Sequence, residues 1–302
     1  MSRAYDEHQL ADSIYAALER PLTPELSVRR VFPQRAIRML GPWCFLDHFG
    51  PLAPSSYRLF DVPPHPHIGL QTITWLLSGE LMHFDSLGYQ QPLHPGQLNL
   101  MTSGRGISHA EVAQPNPTTP LHGLQLWCAL PPAHEETDPR FDHYPSVPSF
   151  TLGQCQATLI TGSYATATQS WHSPALSFSP HIALLLEAAA ADTLTLHLQP
   201  EFEHGIYVLH GNVRVNGTGV PAHHLLDLGA QRDAVTLELS QGCTLLLLGG
   251  EPFAQPVKIW WNFVSASQAR VEQAQRDWDA GHPRFGKVPN YTAQPREAAT
   301  GK

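Results

Sequence analysis

The sequence predicts an all-β protein made of two tandem β-barrels with short flanking helices. Three observations carry that expectation. The chain has 302 residues, comfortable for two domains of about 150 residues that each bury a core. It is 42% hydrophobic and 15% charged, well outside the disordered regime, and its 28 Pro and 22 Gly cut it into short apolar runs, the punctuation of β architecture. Its two halves also resemble each other, which marks a duplication.

Taken in chain order, residues 8–20 (HQLADSIYAALER) place Leu10, Ile14, Ala17 and Leu18 at helical spacing and predict an amphipathic helix, so residues 1–25 read as a helical arm. From Leu26 to Leu130, runs such as WCFLDHFGP, LQTITWLLSGE, QLNLM and LHGLQLWCAL read as strands. The segment 131–148 (PPAHEETDPRFDHYPSVP) has linker composition. It divides a first barrel, 26–140, from a second, 141–290. Strand signals resume in ATLITGS, IALLLEAA, TLTLHL, GIYVLHGNVRV, AVTLEL and CTLLLLGG. Val271, Ala274 and Trp278, with Ser265 and Gln268 in capping-box spacing, predict a closing helix over 265–280, and 291–302 reads as a tail.

The duplication shows when ITWLLSGE (73–80) is laid on IYVLHG (206–211), aligning Trp75 with Tyr207 and Gly79 with Gly211. Without a gap, His65 then falls on His197, His67 on Gln199 and Gln71 on Glu203. GQLNLMTSG (96–104) superposes on GCTLLLLGG (242–250), after which the first copy continues RGISHAE and the second EPFAQ, with no counterpart of His109.

A formal net charge of −8 argues against direct nucleic-acid binding, which rests on clustered Lys and Arg. No run approaches the roughly 18 apolar residues of a membrane span, and MSRAYDEHQL lacks a secretory layout, so a soluble cytoplasmic protein is expected. Cys44, Cys128, Cys155 and Cys243 form no C-x-x-C pair and read as buried small apolar residues.

Two short segments carry the chemistry: His65-Pro66-His67 and His109-Ala110-Glu111. Side chains two apart on a strand share a face, so two such strands lining one barrel bring three imidazoles and one carboxylate together. His122, His134, His143, His223 and His224 have no comparable context and read as surface or structural. Pro66 places the first pair at the start of a strand, near the barrel mouth. Gly104 and Gly106 allow a sharp turn before His109, and Arg105 between them reads as a donor to loop carbonyls. A three-His, one-Glu set suits Fe(II), Ni, Cu, Mn or Zn and, having no thiolate, points away from structural zinc and toward an ion with open positions. Glu111 has two candidate roles, fourth ligand or general base. Phe60, Trp75, Phe84 and Trp127 are candidates to line a pocket for a flat substrate, although strand aromatics are most often core.

FLDHFGP (45–51), PHPHIGLQTITWLLSGELMHFDS (64–86), PGQLNLMTSGRGISHAE (95–111), GLQLWCALP (123–131), LLLLGGEPFAQPV (245–257) and RFGKVP (284–289) resemble signature segments of the pirin family, two-barrel members of the cupin superfamily. The resemblance covers residues 26–290 and implies jelly-roll-like cupin barrels. It implies that His65, His67, His109 and Glu111 stand at the family's metal positions, usually holding iron, while Gln71 replaces a cupin Glu and does not ligate. It further implies a second barrel without metal, whose degenerate set is His197, Gln199 and Glu203. The implied activity is a quercetin 2,3-dioxygenase-like opening of a flavonol or related phenolic with O2. The competing implication is a redox-sensitive regulator that binds a protein partner.

Overall fold

The computed structural model describes residues 12–115 and 117–293, and the architecture is all-β. The chain forms two compact units, one of residues 1–18, 30–46 and 146–256, the other of residues 19–29, 47–145 and 257–302. Among the described residues no helix is long and apolar enough to cross a membrane.

In the unit centred on residues 47–145, one sheet runs in the order Arg140–Tyr144, Leu98–Thr102, Leu70–Ser78, Leu121–Ala129, Trp43–Leu52. A second runs Asp61–His67, Ile107–Ala113, Leu81–Asp85, Gln90–Leu93. In the unit centred on residues 146–256 the same pattern recurs. His224–Gly229, Glu203–His210, Thr244–Gly250 and His181–Ala188 lie side by side in one sheet, and Asp192–His197, Ala234–Leu239, Val213–Val215 and Thr218–Val220 in the other. The duplication is therefore present strand for strand, and the alignment of residues 73–80 with 206–211 matches it. The alignment of residues 96–104 with 242–250 does not. Leu98–Thr102 corresponds to His224–Gly229, and Thr244–Gly250 corresponds to Leu121–Ala129. Both are largely buried, Leu-rich runs, which composition cannot tell apart.

Three other expectations are corrected. The described part of the expected N-terminal helix is extended: Ser13–Ala16 pairs antiparallel with residues 224–227, and Leu18–Pro21 is a further strand. Ile14 and Tyr15 are strand formers, and pairing with an available sheet edge outweighs the helical spacing. Residues 1–11 of that arm lie outside the described residues. The closing helix runs Gln268–Asp279 with Ser267 as its N-cap, accepting from the Arg270 amide, while Ser265 Oγ instead donates to Glu135 at 2.6 Å. The helix also belongs to the other unit than the sequence reading assigned. Its buried Val271 and Ala274 join Ile68, Phe263 and Phe285 in one cluster. Tyr291, at the start of the expected tail, donates to Asp61 Oδ1 at 2.8 Å, and the tail beyond residue 293 lies outside the described residues.

Candidate metal centre

The site begins with register. In the sheet of Asp61–His67, Ile107–Ala113 and Leu81–Asp85, His109 lies opposite His65 on one side and Asp85 on the other, and Glu111 lies opposite His83. Directly opposed residues share a face, as do residues two apart. The register therefore puts His65, His67, His83, Asp85, His109 and Glu111 on one surface. A bulge between His109 and Glu111 adjusts the pairing beside the site. Pro66 sits near the end of its strand, not its beginning; it is tolerated because Asp61–His67 is the sheet's edge strand.

Two glycines permit the close approach of the flanking turns. At Gly69 (φ +68°) a Cβ would stand 1.9 Å from the Val264 carbonyl oxygen, and at Gly104 (φ +48°) 1.9 Å from that of Thr137. The Gly69 amide donates to the Gly104 carbonyl at 2.9 Å. Arg105 does not serve the loop carbonyls: it is exposed and ion-paired with Asp138. Arg270 does that work, its guanidinium donating to the carbonyls of Gly104 (3.2 Å) and Glu135 (2.5 Å).

One ligand atom from each of His65, His67 and His109 lies within 4.8 Å of the others. A second trio, His83, His109 and Glu111, meets the same limit, so the four expected residues, together with His83, fall in two overlapping groups that share His109, Glu111 being grouped with His83 and His109 rather than with His65 and His67. His65 Nδ1 donates to the Pro63 carbonyl at 2.8 Å and His67 Nδ1 to that of Asn262 at 3.2 Å. A carbonyl oxygen only accepts, so each neutral ring keeps its proton on Nδ1 and presents a bare Nε2. His67 Nε2 stands 3.1 Å from His109 Nε2. Two nitrogens each about 2.1 Å from a common ion and at right angles are about 3 Å apart, so the spacing fits a pair of neighbouring ligands.

Electrostatics supports the same fit. Burial brings the His65 pKa down to about 4, against a weaker opposing effect of its bond to Pro63. Burial, then the charge His65 would carry, holds His67 well below the usual value; His109 is depressed by burial and by His65, His67 and His83. Three rings that resist protonation form a cluster of lone pairs that a divalent cation can satisfy. Burial raises the Glu111 pKa, opposed by His83 and by the Thr74 hydroxyl, which donates to Glu111 Oε1 at 2.7 Å. His65 is the partly exposed member, while His67, His109 and Glu111 are buried.

The remaining candidates separate clearly. Gln71 donates its amide to Thr102 at 3.0 Å, a structural role. Trp127 packs edge-on against His67 with centroids 5.0 Å apart. Phe60 belongs to a hydrophobic cluster with Phe49 and Leu76, Trp75 is buried, and Phe84 meets Tyr291. His122 lies against His48, His143 against Asn99 and His224 against the Ala222 carbonyl. All four cysteines are buried and none is in a disulfide, and burial pushes Cys155 up to about 11. Sequence reasoning missed His83 and Asp85, although LMHFD shows the same two-residue spacing that flagged the other pairs. It also missed Thr74, and Asn262, which acts through a backbone carbonyl 195 positions away and leaves no side-chain signature.

In the other unit His197 is exposed, and Ala234 occupies the position opposite it. Glu203 Oε2 accepts from the Gly41 amide at 2.7 Å. Among the described residues that unit holds no cluster of metal-ligating side chains.

A tandem pair of cupin barrels, with a histidine cluster in the first, is the class that fold and site define. Residues 25–128 match the family model Pirin and residues 183–286 the Pirin C-terminal cupin domain; the chain belongs to the pirin family. A Pseudomonas aeruginosa protein named "Putative quercetin 2,3-dioxygenase" is 42% identical over 263 residues, covering 87% of this chain and 82% of that one. The crystal structure of a quercetin 2,3-dioxygenase from Acinetobacter baumannii superposes with a TM-score of 0.89 at 37% identity, covering 96% of both chains. A bacterial pirin from Escherichia coli, solved in complex with nickel(II), shares the fold at 17% identity and a TM-score of 0.62, covering 80% of this chain and all of that one.

Proposed function

We propose that the chain is a metal-dependent dioxygenase of the pirin type, acting with O2 on a flavonol or related phenolic, and that His65, His67, His109 and Glu111 hold its single divalent ion. The observation that carries this reading is the convergence of bare imidazole nitrogens, 3.1 Å apart at His67 and His109, beside a buried carboxylate. The relatives named as quercetin 2,3-dioxygenases supply the substrate class. Fe(II) is the metal we favour, and the nickel complex of the Escherichia coli pirin makes Ni(II) the next to test; the donor set also admits Cu, Mn or Zn.

When bound, the ion would supply a Lewis-acidic position for a substrate oxygen and open positions for O2. Glu111 has the raised pKa of a group suited to accept the substrate hydroxyl proton, and Thr74 holds its carboxylate from the facing sheet. His67 is fixed by Asn262 on one edge and Trp127 on its flank. His65, partly exposed, marks the side from which substrate enters. The test is to load the protein with Fe(II) or Ni(II), add quercetin under O2 and follow the flavonol absorbance. Consumption that disappears in Glu111→Gln and His109→Ala supports the reading; wild-type protein with a full metal complement and no turnover of quercetin or other phenolics rejects it.

A second reading, a redox-sensitive regulator that binds a protein partner, is favoured by one observation. Trp260 and Trp261 are 62% and 49% exposed on the turn that leads into Asn262, whose carbonyl holds His67. Exposed aromatics of that size are typical of interaction surfaces. Pull-downs that depend on the metal's oxidation state, together with no turnover, would select it.

A further inference from the structure

We propose that Asp85 and His83 are positioning residues that set which nitrogen of His109 carries its proton, so that His109 offers Nε2 to the metal; the proposal rests on the metal reading above. The path starts at a carboxylate with no freedom. Asp85 is 0% exposed, its Oδ1 accepts from the amides of Leu87 (2.9 Å) and Tyr89 (3.1 Å), and its Oδ2 lies 3.0 Å from His83 Nε2. The His83 ring, 3% exposed, stacks on Phe141 with centroids 4.3 Å apart and planes 16° from parallel. Its plane and edge are thereby fixed. An ionised carboxylate only accepts, so a neutral His83 keeps its proton on Nε2 and turns a bare Nδ1 inward.

That Nδ1 stands 3.5 Å from Nδ1 of His109. Two bare nitrogens facing each other in a dry interior would repel, so His109 places its own proton on Nδ1 and donates along this line. Its Nε2 is then bare where it meets His67 Nε2 at 3.1 Å. His65 and His67 have this orientation set by single backbone carbonyls. Among the described residues no carbonyl accepts from His109 there; an imidazole backed by a carboxylate does the same work, a longer form of the outer hydrogen bonding that orients metal-bound histidines. The equivalent strand of the second barrel, Val213–Val215, buries two valines at its ends and can orient nothing.

The decisive measurement is the two-bond 1H–15N spectrum of histidine-labelled, metal-free wild-type protein above pH 7, with His109 assigned by its loss in His109→Ala. The proposal predicts a His109 ring protonated at Nδ1, and a ring protonated at Nε2 overturns it whatever any variant does. In His83→Phe, which keeps the stack on Phe141 but removes the acceptor, His109 should become a mixture of the two tautomers. Nickel(II) affinity, measured by chelator competition, should fall about 10- to 100-fold. His83→Gln, which retains a donor for Asp85 and an acceptor for His109, should recover most of it. A folded His83→Phe protein with unchanged affinity and tautomer also refutes the proposal. His109→Ala separates the two levels: if it binds nickel as the wild type does, the metal reading itself fails.

Discussion

The two barrels share a strand order and differ in what their smaller sheets turn inward. On the first, three of the four strands bury His65 and His67, His83 and Asp85, His109 and Glu111 at least in part. On the second, the corresponding strands bury Leu196, then Val213 and Val215, then Val235, Leu237 and Leu239, all in one apolar core. One backbone thus carries either a cluster of potential metal ligands or a plain hydrophobic core, and the difference lies in these side chains. Polar groups in such a place are costly unless something satisfies them. In the first barrel, carbonyls, Thr74 and Asp85 satisfy the outer edges of these groups and leave the inner nitrogens for a ligand. The smaller sheet of the second barrel has no such requirement and packs as an apolar core.

The largest effect that tests this contrast is removal of a ligand from each side. His109→Ala should lower metal affinity on the order of a thousandfold, beyond what outer partners are worth, and abolish turnover; His197→Ala, at an exposed position, should change neither. Equal losses in both, read by elemental analysis and the quercetin assay, would remove the distinction.

Next in size, Leu237→Ala, at a fully buried position of the second barrel, should cost about 4 kcal/mol in urea unfolding, within the roughly 2–5 kcal/mol of such truncations. Metal content should stay at the wild-type level. A cost below about 1 kcal/mol would show that this interior is not the packed core described.

The second barrel should also be the acid-sensitive one once the first is loaded with metal. Burial brings His181 and His204 down to about 4. The folded chain keeps these rings neutral, whereas the unfolded chain protonates them near pH 6.5. Their contribution is therefore intact above pH 6.5 and is lost as the pH falls from 6.5 to 4, by about 3 kcal/mol for each ring. Unfolding free energies measured across that range should lose this slope in a His181→Gln, His204→Gln double variant, and an unchanged slope would contradict the assignment. The smallest effect belongs to Arg105→Ala. Its ion pair with Asp138 is solvent-exposed, so stability and turnover should change by less than about 0.5 kcal/mol; a large loss of turnover would return Arg105 to the site.

Much of this contrast was legible in the sequence because a strand's period of two is rigid. His65 with His67 and His109 with Glu111 could share a face only if each stretch was extended, and both are. The same rule, applied to His83 and Asp85, would have extended the site; a lone His-x-Asp is simply a weaker signal than His-x-His. What was not legible depends on tertiary partners. Asn262 contributes a main-chain carbonyl, and Arg270 rather than Arg105 holds the Gly104 loop, from a helix far along the chain. The 13–16 segment carries both helical spacing and strand-forming residues, and an open edge at residues 224–227 decides between them. The closing helix was readable from Val271 and Ala274, but its cap moved from Ser265 to Ser267 because Ser265 is engaged by Glu135.

The most direct test of the central claim is elemental analysis of the chain purified without added metal and then titrated with Fe(II) or Ni(II), in parallel with His67→Ala. One equivalent bound by the wild type and none by the variant is the predicted result. No binding, two equivalents, or an unchanged single equivalent in His67→Ala would contradict a first barrel that holds one ion through its histidine cluster.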